Sequence, residues 1–120
     1  MLKKPNKPVY DLEERTYQFA KRVMAYVNRL PKTLTNIEIG RQLAKAGGST
    51  GANYIEANEA LSKKDFKMRI KISKKEVKES RYWLRLSEPD KKDDKEKDAL
   101  IQESTELMKI FATILDKAKE

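Results

Sequence analysis

Gly47-Gly48-Ser49-Thr50-Gly51-Ala52-Asn53-Tyr54-Ile55-Glu56-Ala57 lies inside a segment whose flanks read as helix. Glycine costs a helix about 1 kcal/mol relative to alanine at each interior site. Glycines at 47, 48 and 51 therefore need an offset, and close approach of a neighbouring backbone supplies one. The stripe Ile39, Leu43, Ala46, Thr50, Asn53, Ala57 and Leu61 keeps helical spacing through the glycines, which predicts one continuous helix; a break at Gly47-Gly48 is the alternative. A phosphate-binding loop is a poor match, because no strand precedes the glycines and no glycine-lysine-serine/threonine ending follows them.

The same spacing extends to both sides. Asp11 with Glu14 opens a first helix carrying Leu12, Phe19, Val23, Tyr26 and Leu30, and Pro31 closes it. Thr35 with Glu38 opens the second, glycine-bearing helix. Ser62 with Asp65 opens a third that runs to Leu86, where Ser87-Glu88-Pro89-Asp90 stops it. A fourth begins near Asp93 or Asp94 and carries Leu100, Leu107, Phe111, Ile114 and Ala118, with Ile101, Met108 and Leu115 beside them. No strand pattern competes. The expected fold is all-α, an antiparallel up-down-up-down four-helix bundle over residues 11–118, preceded by a flexible N-terminal segment at residues 1–10.

Composition removes much chemistry. The 120 residues include no cysteine and no histidine, which excludes disulfides, structural zinc, cysteine nucleophiles and histidine acid–base catalysis. Glu56 and Glu59 stand one helical turn apart, but di-metal bundle sites also use histidine. Neither a catalytic residue, a cofactor, a metal ligand nor a small-molecule substrate is expected. The N-terminus lacks an apolar stretch of signal-peptide length and no run is long enough to cross a bilayer, so the expectation is a cytoplasmic protein without a membrane partner.

Charge is unevenly placed. The chain carries a net +8, and residues 61–86 alone hold 10 basic and 3 acidic side chains, while residues 87–120 hold 7 and 10. On the third helix, Phe66, Ile70, Ser73, Val77 and Leu84 form the core side. Lys64, Lys67, Lys71, Lys74, Lys78, Arg81 and Arg85 form a second sector that could follow a phosphate backbone, RNA in preference to DNA. The bland alternative is a solvated face. Lysine is a compact point charge rather than a forked base reader, so binding would be electrostatic and salt-sensitive. Met68, Ile72, Glu76, Glu79, Trp83 and Leu86 form a third sector, read with Trp83 exposed on it. A monomeric bundle needs only one buried face per helix, so this sector predicts a contact between copies of the chain. On the second helix, Gly47, Gly51, Ala52, Ala57 and Ala60 would let another helix come close. There Asn53 and Glu56 are expected in a structural polar network satisfied by Arg69 or by nearby backbone and tyrosine groups. The run Asp90-Lys91-Lys92-Asp93-Asp94-Lys95-Glu96-Lys97-Asp98 lacks the ligand alternation and glycine of a calcium loop and reads as a solvated, mobile connection.

Taken with Asp11-Leu12-Glu13-Glu14-Arg15-Thr16, Phe19-Ala20, Leu30-Pro31, Asp65-Phe66 and Lys75-Glu76-Val77-Lys78-Glu79-Ser80-Arg81-Tyr82-Trp83-Leu84, the unit Gly51-Ala52-Asn53-Tyr54-Ile55-Glu56-Ala57 resembles the 23S rRNA intervening-sequence proteins, also called the S23 ribosomal protein family. The resemblance runs from Asp11 to about Leu115; Thr50 departs from it, where a branched apolar residue is more usual. It implies an antiparallel four-helix bundle assembling as a ring-like homo-oligomer, commonly a homopentamer, with no established enzymatic activity. Distant relatives are basic accessory proteins that associate with nucleic acid and a reverse transcriptase. The expected function is a non-enzymatic oligomer binding nucleic acid through the basic face, or else a protein-interaction scaffold.

Overall fold

The computed structural model describes residues 11–119; the segment 1–10, read above as flexible, lies outside the described residues. Four helices follow in order: α1 (Leu12–Arg29), α2 (Leu34–Asn58), α3 (Lys63–Leu86) and α4 (Asp94–Ala118), with a single 3-10 turn at Lys91–Asp93 before α4. Among the described residues there is no strand. Each of the first three helices starts at a side-chain cap that accepts an otherwise unpaired backbone N–H. Asp11 accepts from Glu14 N at 3.1 Å, and Ser62 from Asp65 N at 3.0 Å. The cap of α2 is Thr33, accepting from Asn36 N at 3.1 Å, and not Thr35. Helix α2 thus begins two residues before the expected box, because Asn36 is drawn inward to hold a loop described below.

The helices pack as a bundle. Phe19, Val23 and Tyr26 of α1, Leu43 of α2, Ile70, Val77 and Leu84 of α3 and Leu100, Leu107 and Phe111 of α4 are at most 1% exposed and form one cluster. Burying each such side chain contributes roughly 1.5–3 kcal/mol. Across the seams residue numbers run in opposite senses. Thr50 meets Ser73 and Asn53 meets Arg69 between α2 and α3, while Arg15 meets Glu103 and Arg22 meets Glu96 between α1 and α4. Leu61, placed by its spacing on the α2 stripe, instead sits in the α2–α3 turn and is fully exposed, since α2 ends at Asn58.

Helix α2 is continuous through its glycines, and the neighbour they admit is α1. A Cβ at Gly51 would lie 2.9 Å from Thr16 Oγ1 and 3.1 Å from its Cβ; one at Gly47 or Gly40 would lie 3.0 Å from Val23 Cγ1 or Val27 Cγ1. Thr16 cannot turn away easily: it is 1% exposed and its hydroxyl donates to Leu12 O and Glu13 O at 2.9 and 3.0 Å. Gly48 differs, with only Met24 Cε nearby, at 3.7 Å. Of the other small residues read as a close-packing surface, Ala57 is buried but Ala52 is exposed, so the close approach is a seam within the chain.

At one end of the bundle, four elements meet at the turn after α3. Tyr26 and Ser87 hydroxyls share a hydrogen bond of 2.6 Å, Ser87 Oγ donates to Leu84 O, and Lys97 Nζ donates to Ser87 O at 2.8 Å. Asn36 Nδ2 donates to Pro31 O and Glu88 O at 3.1 and 2.9 Å, and its Oδ1 accepts from Glu88 N at 3.1 Å. Burial pushes the Tyr26 hydroxyl above its ordinary range, partly countered by Ser87. The charged run 90–98, expected to be a mobile connection, is ordered here. Asp93 is buried with Oδ1 accepting from Arg29 Nε at 3.0 Å, and Glu96 pairs with Arg22 at 3.1 Å. Alternating charge failed as a sign of mobility because arginines on α1 were waiting one helix away.

Two contrasts test this account by chemical denaturation. Gly51→Ala should lose about 1–3 kcal/mol by overpacking against Thr16, whereas Gly48→Ala should gain about 0.5–1 kcal/mol from helix propensity. Asn36→Ala should cost about 1–2 kcal/mol, since it removes three part-buried hydrogen bonds to the backbone of Pro31 and Glu88.

Candidate nucleic-acid interface

The rotation of α3 is fixed by its buried row. Ile70, Ser73, Val77, Ser80 and Leu84 are all 0% exposed, and the small Ser73 lets α3 lie close to α2, donating to Thr50 O at 2.9 Å. With that row inside, and ~100° between successive residues, the lysine sector emerges about a quarter-turn away, on the α4 flank. Lys64, Lys71, Lys78 and Arg85 are exposed; Lys67 and Lys74 are half-buried. At a 1.5 Å rise the row from Lys64 to Arg85 is roughly 32 Å long. Arg81 departs from the expected row: it is half-buried and donates from Nε to Thr105 Oγ1 of α4 at 3.0 Å, so it ties two helices together.

Among the described residues, none of Lys64, Lys67, Lys71, Lys74 and Lys78 belongs to a salt bridge. The reason lies on the far side of α4. Its carboxylates Glu96 and Glu103 point to α1, where Arg22 and Arg15 meet them at 3.1 and 2.7 Å through paired guanidinium contacts. The hydrogen bonds to these carboxylates hold both guanidiniums above their usual range. Glu76 and Glu79, on α3 itself, lie beside Lys75 at 3.6 and 3.9 Å. Glu96 and Glu103 are therefore turned toward α1, while Asp94, Asp98 and Asp116 share the Thr105 face of α4 without pairing to the α3 row. Lys109, one turn beyond Thr105 on α4 and exposed, borders the same flank; the sequence reading missed it because only the Arg81–Thr105 contact aligns the two helices.

The opposite flank of α3 is more mixed. Arg69 Nη1 donates to Asn53 Oδ1 at 3.0 Å, and Asn53 Nδ2 donates to Ser49 O at 3.0 Å, so Asn53 does sit in a polar network with Arg69. Glu56 is exposed and outside that pair; a carboxylate one turn further along α2 has left the α3 side. Met68 is 51% exposed and Glu79 exposed, while Ile72 and Glu76 are half-buried. Trp83, expected to be exposed, is half-buried: its indole packs on the core cluster and meets the Tyr82 ring edge-on at 5.0 Å. The described residues include no group of acidic side chains able to hold a metal, and no helix long and apolar enough to cross a membrane.

The family described as 23S rRNA-intervening sequence protein matches residues 10–113. This chain belongs to that family. A solved structure is similar to it: a protein of unknown function from the S23 ribosomal protein family of Bacteroides thetaiotaomicron, 27% identical, with a TM-score of 0.74 over 86% of this chain and 96% of that one. No curated protein matches. In this 23S rRNA-intervening sequence protein the motifs that carry the resemblance have mainly structural work. Gly51 admits Thr16, Asn53 holds Arg69, and Leu84 fills the core between Trp83 and the Ser87 joint. The lysine row lies between these fixed points.

The division of labour within the basic sector is measurable. Arg81→Ala should lower unfolding stability by about 1 kcal/mol through loss of the Thr105 contact. Lys71→Glu, on the open part of the row, should stay within about 0.5 kcal/mol of the parent in the same denaturation experiment.

Proposed function

We propose that this protein is a non-enzymatic, homo-oligomeric bundle, up-down-up-down with antiparallel neighbours, that binds nucleic acid through the lysine row of α3, RNA in preference to DNA. The opposed numbering across the seams supports the antiparallel arrangement. The observation that carries the binding reading is the unpaired lysine row facing away from the Arg15–Glu103 and Arg22–Glu96 pairs of α4. Each lysine–phosphate contact releases condensed counterions, so affinity rests on number of contacts and falls as salt rises. Assembly into a ring, five subunits in the family it resembles, would repeat the row and raise affinity by avidity. The half-buried Ile72 and Trp83 are the α3 residues that would carry such a contact.

A second reading, a protein-interaction scaffold, draws on another surface. Tyr17 and Met24 of α1 and Ile37 and Ile55 of α2 are 39–55% exposed along the outer side of the glycine seam. Exposed apolar groups on one side of a bundle favour a protein partner or a further copy.

The two readings separate in one sample. Light scattering should give a mass that is a multiple of 14.0 kDa, with a pentamer as the expected value. Fluorescence anisotropy with a labelled 20-nucleotide RNA should then show binding whose logarithm falls linearly with log salt, with a slope of roughly 3 to 5 for about four to seven phosphate contacts. Changing Lys67, Lys71, Lys74 and Lys78 together to Glu should abolish it at unchanged mass. Retained binding in that variant would exclude the lysine row.

A further inference from the structure

We infer that the outward row of α3 takes single-stranded nucleic acid, with Tyr82 as a stacking platform for an unpaired base. This rests on the nucleic-acid reading above and gives that site a more specific ligand. Met68, Lys71, Lys75, Lys78, Tyr82 and Leu86 fall within an arc of ~80° on the side of α3 directed away from the bundle. Met68, Tyr82 and Leu86 are 51%, 55% and 46% exposed, so apolar groups stand at both ends of a central run of three lysines.

A double helix gives such a row little. It presents phosphates to an outside surface while its bases stay stacked, so lysines alone would serve and the apolar side chains would only displace water. A single strand offers both halves of the match. Its phosphates meet the lysines, and its splayed bases cover the aromatic and aliphatic groups at either end of them.

The Tyr82 ring is also unusually available. Tyr17 is equally exposed, at 55%, but Lys21 Nζ lies over its ring 5.6 Å from the centroid. Among the described residues no cation covers Tyr82. Trp83 holds it instead from the edge, at an interplanar angle of 74°, and Trp83 is itself packed on the core. The platform is thus braced before any ligand arrives, which reduces the ordering cost of binding. A second copy related by a two-fold axis is a poor occupant for the same surface, since matching lysine rows would face each other with like charge.

The test compares a labelled 20-nucleotide oligouridylate with its blunt RNA duplex with oligoadenylate, using the full chain and fluorescence anisotropy. Tyr82→Ala should weaken single-strand binding about tenfold and duplex binding less than twofold, while Tyr82→Phe keeps parental affinity. The log–log salt slope should be unchanged in Tyr82→Ala and smaller by about 0.7 in Lys78→Ala, because only the lysine releases a counterion. Equal effects of Tyr82→Ala on both probes, or none on either, would overturn the stacking role and leave lysine-driven binding standing. A changed mass or unfolding midpoint in Tyr82→Ala would also overturn it, by making the residue a subunit or fold contact. If the parent binds neither probe, the nucleic-acid reading fails, and this inference with it.

Discussion

The approach of Gly51 to Thr16 sets the spacing on which the rest of the molecule depends. With no Cβ on α2 and a hydroxyl already committed to its own helix on α1, the two backbones come closer than any other residue pair would allow. That seats α1 deep against α2 and turns Arg15, Arg22 and Arg29 toward α4 and the turn before it. Glu103, Glu96 and Asp93 are then drawn to the arginines. These partly exposed pairs add modest stability one by one. Their larger effect is directional, because they fix where the Asp93, Glu96 and Glu103 carboxylates point.

The unpaired lysine row of α3 is therefore a by-product of packing elsewhere. A helix with many lysines is ordinarily laced with glutamates from itself or its neighbour. Here the neighbouring helix pairs Glu96 and Glu103 with α1, and among the described residues Lys64, Lys67, Lys71, Lys74 and Lys78 have no salt-bridge partner. A charge-rich sequence with a moderate net charge has been sorted in space into a paired seam and an unpaired face.

The helices were legible because caps and apolar spacing agree along most of the chain. Asp11 and Ser62 act as the caps their sequence context indicated, and the Phe19–Val23–Tyr26 and Ile70–Ser73–Val77–Leu84 rows are buried as spaced. The glycines correctly announced close approach, but spacing along one helix carries no information about which neighbour approaches. The same limit explains Trp83 and Arg81. Each lies at the edge of the buried arc, where a few degrees of helix rotation decide between solvent and core, and long side chains bend back over the seam. Thr33 outcompeted Thr35 as a cap because Asn36 bonds across 52 residues to Glu88, a partner no local pattern could reveal. The order of the 90–98 run was hidden for the same reason.

The Ser87 joint makes the two ends of the bundle unequal. At that end the close of α1, the starts of α2 and α4 and the exit of α3 are fastened by the buried Tyr26 and Ser87 hydroxyls, the buried Asn36 amide and the half-buried Lys97 ammonium. The described side-chain bond at the other end, between Asn58 and Glu13, is exposed to solvent. Local opening should consequently begin where α2 passes into α3, and amide protons beside Ser87 should be the last to exchange. The basic row spans this gradient from its yielding end at Lys64 to its anchored end at Arg85. A strand lying along it would be gripped against a firm abutment at Tyr82 while the opposite end adjusts to its path.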